Sequence, residues 1–397
     1  MVTPAPERPK ILHLGKYNYT SKEAGGVEAF LKKVTECLKG DYDQTVLLFD
    51  SSIKKKTHIA ENGVNIILFP VHFVAGYAPI NLYTPLHLHK LISSFSPDII
   101  HIHMPSLLPF FCLWGLFRRK TVIHWHADVE GTQVSNSIAF PIYQVMERIL
   151  LTLADSIIVT SKEYLDTSQS LKPFKKKCTI IPIGIDNSTH EPPLDQALST
   201  PIRHFIRNKK LILSIGRLSY YKGYAYLIEA MDLLQQDDIV LVIGGQGPEM
   251  KSLEKIIKRR RLGDRVLLPG RINEGDKNHL LSEALIFCLP SIDRAEAFGV
   301  SLVEAMKKSL PLITSHVKGS GMNHVNIHNQ TGLHVAPCDS RAIANAIGTL
   351  LHNPDRLKSF GKQGHQRFLD HFQLPKIAEQ LQTHYFNLLN GFGENKR

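Results

Sequence analysis

The feature that most constrains this chain is an alternation that runs through it twice. Short, almost continuously apolar runs rich in Val, Ile and Leu are separated by longer stretches whose apolar residues recur at three and four. In the first half KILHLG, QTVLLFD, VNIILFP, PDIIHIH, KTVIHWHAD, ADSIIVTS and CTIIPIG read as strands. VEAFLKKVTECLKG and FPIYQVMERILLTLA read as helices. Strands without polar alternation need cover on both faces, and intervening helices provide it in a parallel sheet. After the polar, proline-bearing stretch Asn187–Arg207 the alternation restarts with KLILSIGR, DIVLVIGG, RVLLPG, ALIFCLPS and LPLITS. The expectation is an α/β chain of two Rossmann-like, doubly wound parallel-sheet domains facing a central cleft. They are placed at 1–190 and 209–375, with a linker over 191–208 and a C-terminal helix over 376–397 that crosses back to the N-terminal domain. A length of 397 residues suits two such domains better than one core.

Charge and composition narrow the partners. The formal net charge of +11 favours an anionic one: phosphate groups, nucleic acid or an acidic membrane surface. Nucleic acid is not expected, because the basic segment Leu253–Arg261 (LEKIIKRRR) lacks aromatic interleaving and reads as a solvated helix face. Five widely spaced cysteines argue against a disulfide framework or a cysteine-rich zinc site, and fit a reducing cytoplasm. No apolar run reaches the roughly 18 residues of a membrane span, and MVTPAPERPK has no apolar core of signal-peptide length. Leu107–Phe117 (LLPFFCLWGLF), followed by Arg118-Arg119-Lys120, is too short to cross a bilayer. With the Lys54–Lys56 and Lys175–Lys177 runs it offers a way to rest against anionic lipid; a buried helix with a charged end is the alternative. A cytoplasmic protein, peripheral on the inner membrane, is the expectation.

In doubly wound sheets ligands bind beyond the carboxyl ends of strands, so the loops after strands carry the argument. After KLILSI come Gly216-Arg217 and then Lys222-Gly223. Arg as a planar fork and Lys as a point charge suit a diphosphate; two solvated cations are the plain alternative. Gly244-Gly245-Gln246-Gly247-Pro248 lacks the GxGxxG spacing and reads first as a tight turn. In SIDRAEAFGVSLVEAMKKSLP, Ser291–Pro311, a helix begins near Phe298-Gly299, and its free N–H groups suit a phosphate. Glu296 and Glu304 are eight positions apart. A helical spacing would separate them by roughly 12 Å along the axis and by about 80° around it. That is a poor acid–base pair for a glycosidase, whose carboxyls sit about 5–9.5 Å apart. They suit two ends of one polyhydroxyl ligand, or are simply a helix-start and a surface glutamate. Gly25-Gly26, before the helix opening at Val27, lets the backbone approach a ligand or merely turns.

Two HxH pairs, His101/His103 and His124/His126 with Asp128, place imidazoles on shared strand faces. The second resembles the start of the HxHxDH pattern of metallo-β-lactamase-like hydrolases, but Val129 stands where the final histidine belongs. The favoured reading is a cleft histidine at His126 contacting substrate, with His101 and His124 as packing residues. No metal site is expected.

Taken in order, Gly25-Gly26-Val27-Glu28, PIGID at Pro182–Asp186, Gly216-Arg217 with Lys222-Gly223, Gly245–Pro248, Glu296-x7-Glu304 and Thr331-Gly332-Leu333 resemble the retaining GT-B glycosyltransferases of the sucrose-synthase and mannosyltransferase group. The resemblance spans nearly the whole chain. It implies a nucleoside-diphosphate sugar as donor, no cofactor, and a saccharide or lipid-linked saccharide as acceptor. Arg217 and Lys222 would bind the diphosphate beside Gly216 and Gly245. Glu304 would hold the ribose, and Arg271 and Ile272 would lie beside the base. Glu296 and the backbone of Phe298, Gly299 and Val300 would hold the transferred sugar and phosphate, and Gly26 would approach the phosphate. His126 would contact the sugar near the reacting carbon, with Gly25 and Asp128 on the acceptor side. KGSGMNHV at Lys318–Val325 resembles bacterial surface-polysaccharide mannosyl- and rhamnosyltransferases, which use GDP-sugars. Ser309 departs from the family, which has glycine there. The resemblance further implies retention of configuration, and a cationic clamp able to dispense with a metal. A UDP-sugar-dependent transferase, a nucleotide-sugar epimerase of the same fold, a non-catalytic sugar-nucleotide-binding assembly protein and a metal-dependent hydrolase at His124, His126 and Asp128 are the competing readings.

Overall fold

The computed structural model describes residues 7–21, 24–75, 78–111, 119–129, 139–187, 199–234 and 236–391. Residues 112–118 of the segment expected to touch lipid, residues 188–198 around the expected linker and residues 392–397 of the C-terminal segment lie outside them. The chain divides into two compact units, Met1–Gly184 with Leu374–Arg397, and Ile185–Gln373.

The first unit carries β1 (Lys10–Tyr17), β2 (Asp43–Asp50), β3 (Thr57–Glu61), β4 (Val64–Pro70), β5 (Phe73–Ala75), β6 (Ala78–Ile80), β7 (Ile99–Met104), β8 (Lys120–Trp125), β9 (Ser156–Val159) and β10 (Cys178–Ile180). Eight of these form one sheet in the order β10-β9-β8-β7-β1-β2-β4-β3. All neighbours are parallel except β3, which runs antiparallel to β4 at the edge. β5 and β6 form a separate antiparallel pair. The strand order reverses between β1 and β7, and both strands are deeply covered: Ile11, Leu12, Leu14, Ile99, Ile100 and Ile102 have no exposed surface. Burying each such side chain stabilises the fold by about 1.5–3 kcal/mol. The helix Leu374–Leu389 buries Leu374, Ile377, Ala378, Leu381 and Tyr385 along one face and packs against the helix Gly26–Leu38.

The second unit carries β11 (Lys210–Ile215), β12 (Ile239–Gly244), β13 (Val266–Leu267), β14 (Ile286–Leu289), β15 (Leu312–Ser315) and β16 (Gly332–Val335). They form an all-parallel sheet in the order β13-β12-β11-β14-β15-β16. Here the order reverses between β11 and β14, so the loops after these two strands flank the topological switch point where a ligand binds in open α/β sheets. Local chemistry sets the helix starts. Asp339 accepts from the Ala342 N–H (2.8 Å) and Asn353 from the Arg356 N–H (3.0 Å), each capping its helix. Within the stretch expected as linker, Thr200–Ile206 is a helix: Pro201 is pre-set for its first turn, and Ile202 is buried.

Candidate active site

The loop after β11 is tied to the loop after β14 by Ile292 N–H, which donates to Tyr221 O (2.7 Å), and the loops after β11, β12 and β13 are stitched to one another by further backbone hydrogen bonds. Gly216 N–H donates to Gly244 O (3.0 Å), Leu218 N–H to Gln246 O (3.0 Å) and Gly245 N–H to Gly270 O (2.8 Å). This closeness needs a residue without a side chain: a Cβ on Gly245, whose φ is +150°, would collide with the Gly216 carbonyl. The resulting floor holds Gly216 and Gly245 together, with Ile272 lying against Gly244 and Arg271 exposed beside it.

Lys222 and Glu296 meet over this floor. Lys222 closes a 3-10 turn (Tyr220–Lys222) after β11, and Glu296 sits in the loop after β14. Both residues are 7% exposed, and Lys222 Nζ forms an ion pair with Glu296 Oε2. Burial by itself would strip the proton from Lys222. The Glu296 carboxylate, aided by Tyr221 and Tyr224, outweighs that effect and raises the ammonium above its usual range, so the lysine stays charged. A buried pair is tolerable only where its remaining valences are filled. Ser291 Oγ donates to Glu296 Oε2 (3.1 Å), and Ser320 Oγ donates to the Glu296 carbonyl (2.5 Å).

Arg217 is exposed on the same loop, and among the described residues no carboxylate pairs with it. The helix Val300–Lys307 starts at Gly299, whose φ of +85° belongs to the left-handed region. Its first N–H groups have no partner within the helix. Phe298 is buried, edge-on to Phe372 with ring centroids 5.9 Å apart. Glu304, on that helix, accepts from Lys277 Nζ (2.8 Å), which also reaches Glu274 (2.8 Å). Burial opposes the Lys277 charge, and Glu304 with Glu274 overcomes it, raising the group.

The acceptor-side candidates all lie in the first unit. Gly25 caps the helix Gly26–Leu38, and its N–H donates to Glu28 Oε2 (2.9 Å); both glycines are exposed. His126, just past β8, is 4% exposed, with Nε2 3.1 Å from His103 Nδ1 and, among the described residues, no partner on Nδ1. Asp128 Oδ1 accepts from Trp125 Nε1 (2.8 Å) and Ser168 Oγ (2.8 Å), so the carboxylate ties the turn after β8 in place.

Residues 24–189 match the family model Glycosyltransferase Family 4, and residues 200–367 match Glycosyl transferases group 1. D-rhamnosyltransferase WbpZ of Pseudomonas aeruginosa is 30% identical over 279 residues, 68% of each chain. The chain belongs to this glycosyltransferase family. O-antigen chain mannosyltransferase C of Escherichia coli is 26% identical over 391 residues, 98% of this chain and all of that one. The fold is that of sucrose-phosphate synthase from Thermosynechococcus elongatus, with a TM-score of 0.78 at 24% identity, covering 97% of this chain and 100% of the other. Anabaena HepE, solved with UDP and glucose, superposes with a TM-score of 0.73 at 19% identity over 96% and 100% of the two chains. This is the GT-B architecture: two Rossmann-like parallel-sheet units.

In the glycosyltransferase, Gly216, Lys222, Gly245 and Glu296 are brought together, and Glu304 is held by a separate lysine. Sequence reasoning missed Lys277, Ser291 and Ser320. Ser291 and Ser320 lie inside segments singled out for other residues, SIDRAEAFGVSLVEAMKKSLP and KGSGMNHV, while Lys277 stands in no motif. Lys277 becomes visible only once the helix Glu274–Glu283 is set beside Glu304. His13, also missed, lies in a buried histidine cluster with His101, His103, His124 and His126.

Proposed function

We propose that this glycosyltransferase moves a hexose, mannose or a deoxyhexose such as rhamnose, from a nucleoside-diphosphate sugar to a saccharide or lipid-linked saccharide during bacterial surface-polysaccharide synthesis. The observation that carries the reading is the charged, buried Lys222 beside Glu296, with an unpaired Arg217 on the same loop and the open start of the helix Val300–Lys307. The names of the relatives, a mannosyltransferase and a rhamnosyltransferase, support the sugar class.

The chemistry follows from charge. When the bond from the anomeric carbon to the phosphate oxygen breaks, its electron pair stays on the diphosphate, and positive charge develops on the sugar. The acceptor hydroxyl oxygen bonds to the anomeric carbon, and its proton passes to the departing phosphate oxygen. Arg217, Lys222 and the N–H groups at Gly299 and Val300 bind the departing anion more tightly than the intact ester, which lowers the barrier. Glu296 orients Lys222 and accepts from a sugar hydroxyl, Glu304 takes the ribose, and Arg271 and Ile272 flank the base. Gly26 approaches the phosphate. His126 meets the sugar near the reacting carbon, with Gly25 and Asp128 shaping the acceptor side. Attack from the leaving-group face retains configuration. The cationic groups do the electrostatic work of a metal at the diphosphate, so no cofactor is needed and added Mg2+ or Mn2+ leaves the rate unchanged.

The enzyme works peripherally, at the cytoplasmic face of the inner membrane. Exposed Phe73, Val74, Leu82, Tyr83 and Leu86, around the β5–β6 pair and the following helix, support an apolar contact there, and no helix among the described residues is long and apolar enough to cross a membrane. The test is incubation with GDP-mannose, GDP-rhamnose, UDP-glucose or UDP-N-acetylglucosamine and a lipid-linked acceptor, reading nucleoside diphosphate release and the anomer of the product by NMR. Acceptor-dependent release from a GDP-sugar with an unchanged anomer is expected. Conversion of the donor without acceptor means an epimerase, and binding without release means a non-catalytic protein; either contradicts the reading.

A further inference from the structure

The strand register concentrates histidines on one face of the first unit's sheet. His13 on β1 lies opposite His101 on β7, and His103 on β7 lies opposite His124 on β8. Residues two apart on a strand share a face, so His101 joins His103, and His124 is followed by His126. All five rings are buried, none more than 4% exposed. Neutral imidazole is the form that ligates metals.

Four of these rings, His13, His101, His103 and His126, share a further property: one nitrogen is engaged and the other has no partner among the described residues. Gln44 Nε2 donates to the Thr35 carbonyl (2.9 Å), which fixes the amide so that Oε1 faces His13 Nε2 at 3.2 Å. An amide oxygen only accepts, so His13 carries its proton on Nε2 and a bare lone pair on Nδ1. His101 Nδ1 lies 2.5 Å from the Tyr385 hydroxyl, and His103 Nδ1 lies 3.1 Å from His126 Nε2. Among the described residues His13 Nδ1, His101 Nε2 and His103 Nε2 have no partner. One ring nitrogen from each of the three comes within 4.8 Å of the others. A ring anchored through one nitrogen with the other left open is how metal-bound histidines are oriented.

We infer that His13, His101 and His103 bind one divalent transition-metal ion, best matched by zinc, as a structural centre of the first unit, next to His126. Three neutral imidazoles suit zinc, cobalt, nickel or copper and do not suit magnesium or calcium, which take oxygen ligands. Zinc–nitrogen bonds of about 2.0–2.1 Å in a tetrahedron separate the nitrogens by about 3.3–3.4 Å. Loading therefore draws the rings in by no more than roughly 1.4 Å and turns His101 and His103 out of their stack, in which the centroids are 4.5 Å apart and the planes 17° from parallel. His124, with both nitrogens unpartnered among the described residues, has its ring 5.4 and 5.5 Å from those of His101 and His103.

The test is elemental analysis of the full chain purified from zinc-supplemented medium, followed by chelation, zinc titration and cobalt substitution. One zinc per chain is expected, with a visible tetrahedral cobalt spectrum and a thermal midpoint that rises with zinc. His13→Gln, His101→Gln and His103→Gln should each abolish that spectrum. Gln44→Leu, which keeps every ligand and removes only the group orienting His13, should weaken zinc binding roughly ten- to hundredfold. His316→Gln alters the separate His316–His334 contact of the second unit and should leave the stoichiometry at one. A chain that takes up no zinc or cobalt overturns the inference. So does a cobalt spectrum that survives the three ligand substitutions and vanishes in His316→Gln. Where the ligand variants fail to fold, Gln44→Leu decides, and unchanged zinc affinity refutes the site.

Discussion

Replacing Lys222 by methionine separates the structural from the catalytic demand on the buried ion pair. The substitution keeps much of the side-chain volume and removes the charge, leaving Glu296 7% exposed with Ser291 Oγ as the remaining donor to its carboxylate among the described residues. Removing one partner of a buried pair costs about 3–5 kcal/mol, because the other charge is left uncompensated. For a unit of this size each kcal/mol moves the thermal midpoint by roughly 2–4 °C, so Lys222→Met should lower it by roughly 6–20 °C. Lys222→Met/Glu296→Gln removes both charges and should recover most of that loss. Turnover behaves differently. Both the single and the double variant lack the ammonium that meets the departing diphosphate, and both should lose roughly a hundredfold or more, about 2.7 kcal/mol of barrier. The assay pairs thermal unfolding with nucleoside diphosphate release on the same preparations. If activity returns together with stability in the double variant, Lys222 acts only as a structural counter-ion and the reasoning fails.

Other consequences are independent of that pair. Ser309 sits at φ +58°, a region that costs an ordinary residue about 1 kcal/mol. Ser309→Gly should raise the midpoint of the second unit by roughly 2–4 °C, and a lowered midpoint in differential scanning calorimetry contradicts the assignment. Lys277→Ala frees Glu304 without touching the diphosphate seat; it should raise KM for the donor roughly tenfold with kcat nearly unchanged, and steady-state kinetics showing a fall in kcat alone would refute this. Because the folded-state pKa of Lys222 is raised, its charge is fully present below the unfolded value of about 10.5 and is lost only above the folded one. Nucleoside diphosphate affinity measured by calorimetry should therefore stay flat between about pH 8 and 10, and a steady weakening across that window would show that the pair does not hold the proton.

Much of the fold was readable as local chemistry. Runs such as Ile239–Gly244 and Ile286–Leu289 are wholly apolar because both faces of a parallel sheet are covered, and the structure buries every residue in them. β3 was not readable, since Thr57–Glu61 is a largely exposed edge strand with no hydrophobic signature. The helix Thr200–Ile206 hid within a proline-bearing stretch that resembled a connection. The loops carrying Lys222, Glu296 and Gly299 could be located from the strand ends that precede them. What sequence could not convey was spatial adjacency. Lys277 meets Glu304 across 27 positions, and His13 meets His101 only because β1 and β7 are neighbours at the switch of the first sheet. Burial was likewise invisible: Lys222 reads as a loop cation and is in fact 7% exposed.

The central claim is that the second unit seats the leaving diphosphate on positive charge, and a crystal structure of the enzyme with bound nucleoside diphosphate tests it most directly. The account predicts phosphate oxygens within about 2.7–3.2 Å of the Arg217 guanidinium, Lys222 Nζ and the N–H groups at Gly299 and Val300. A diphosphate bound elsewhere, with Arg217 still facing solvent and Lys222 touching only Glu296, would contradict it.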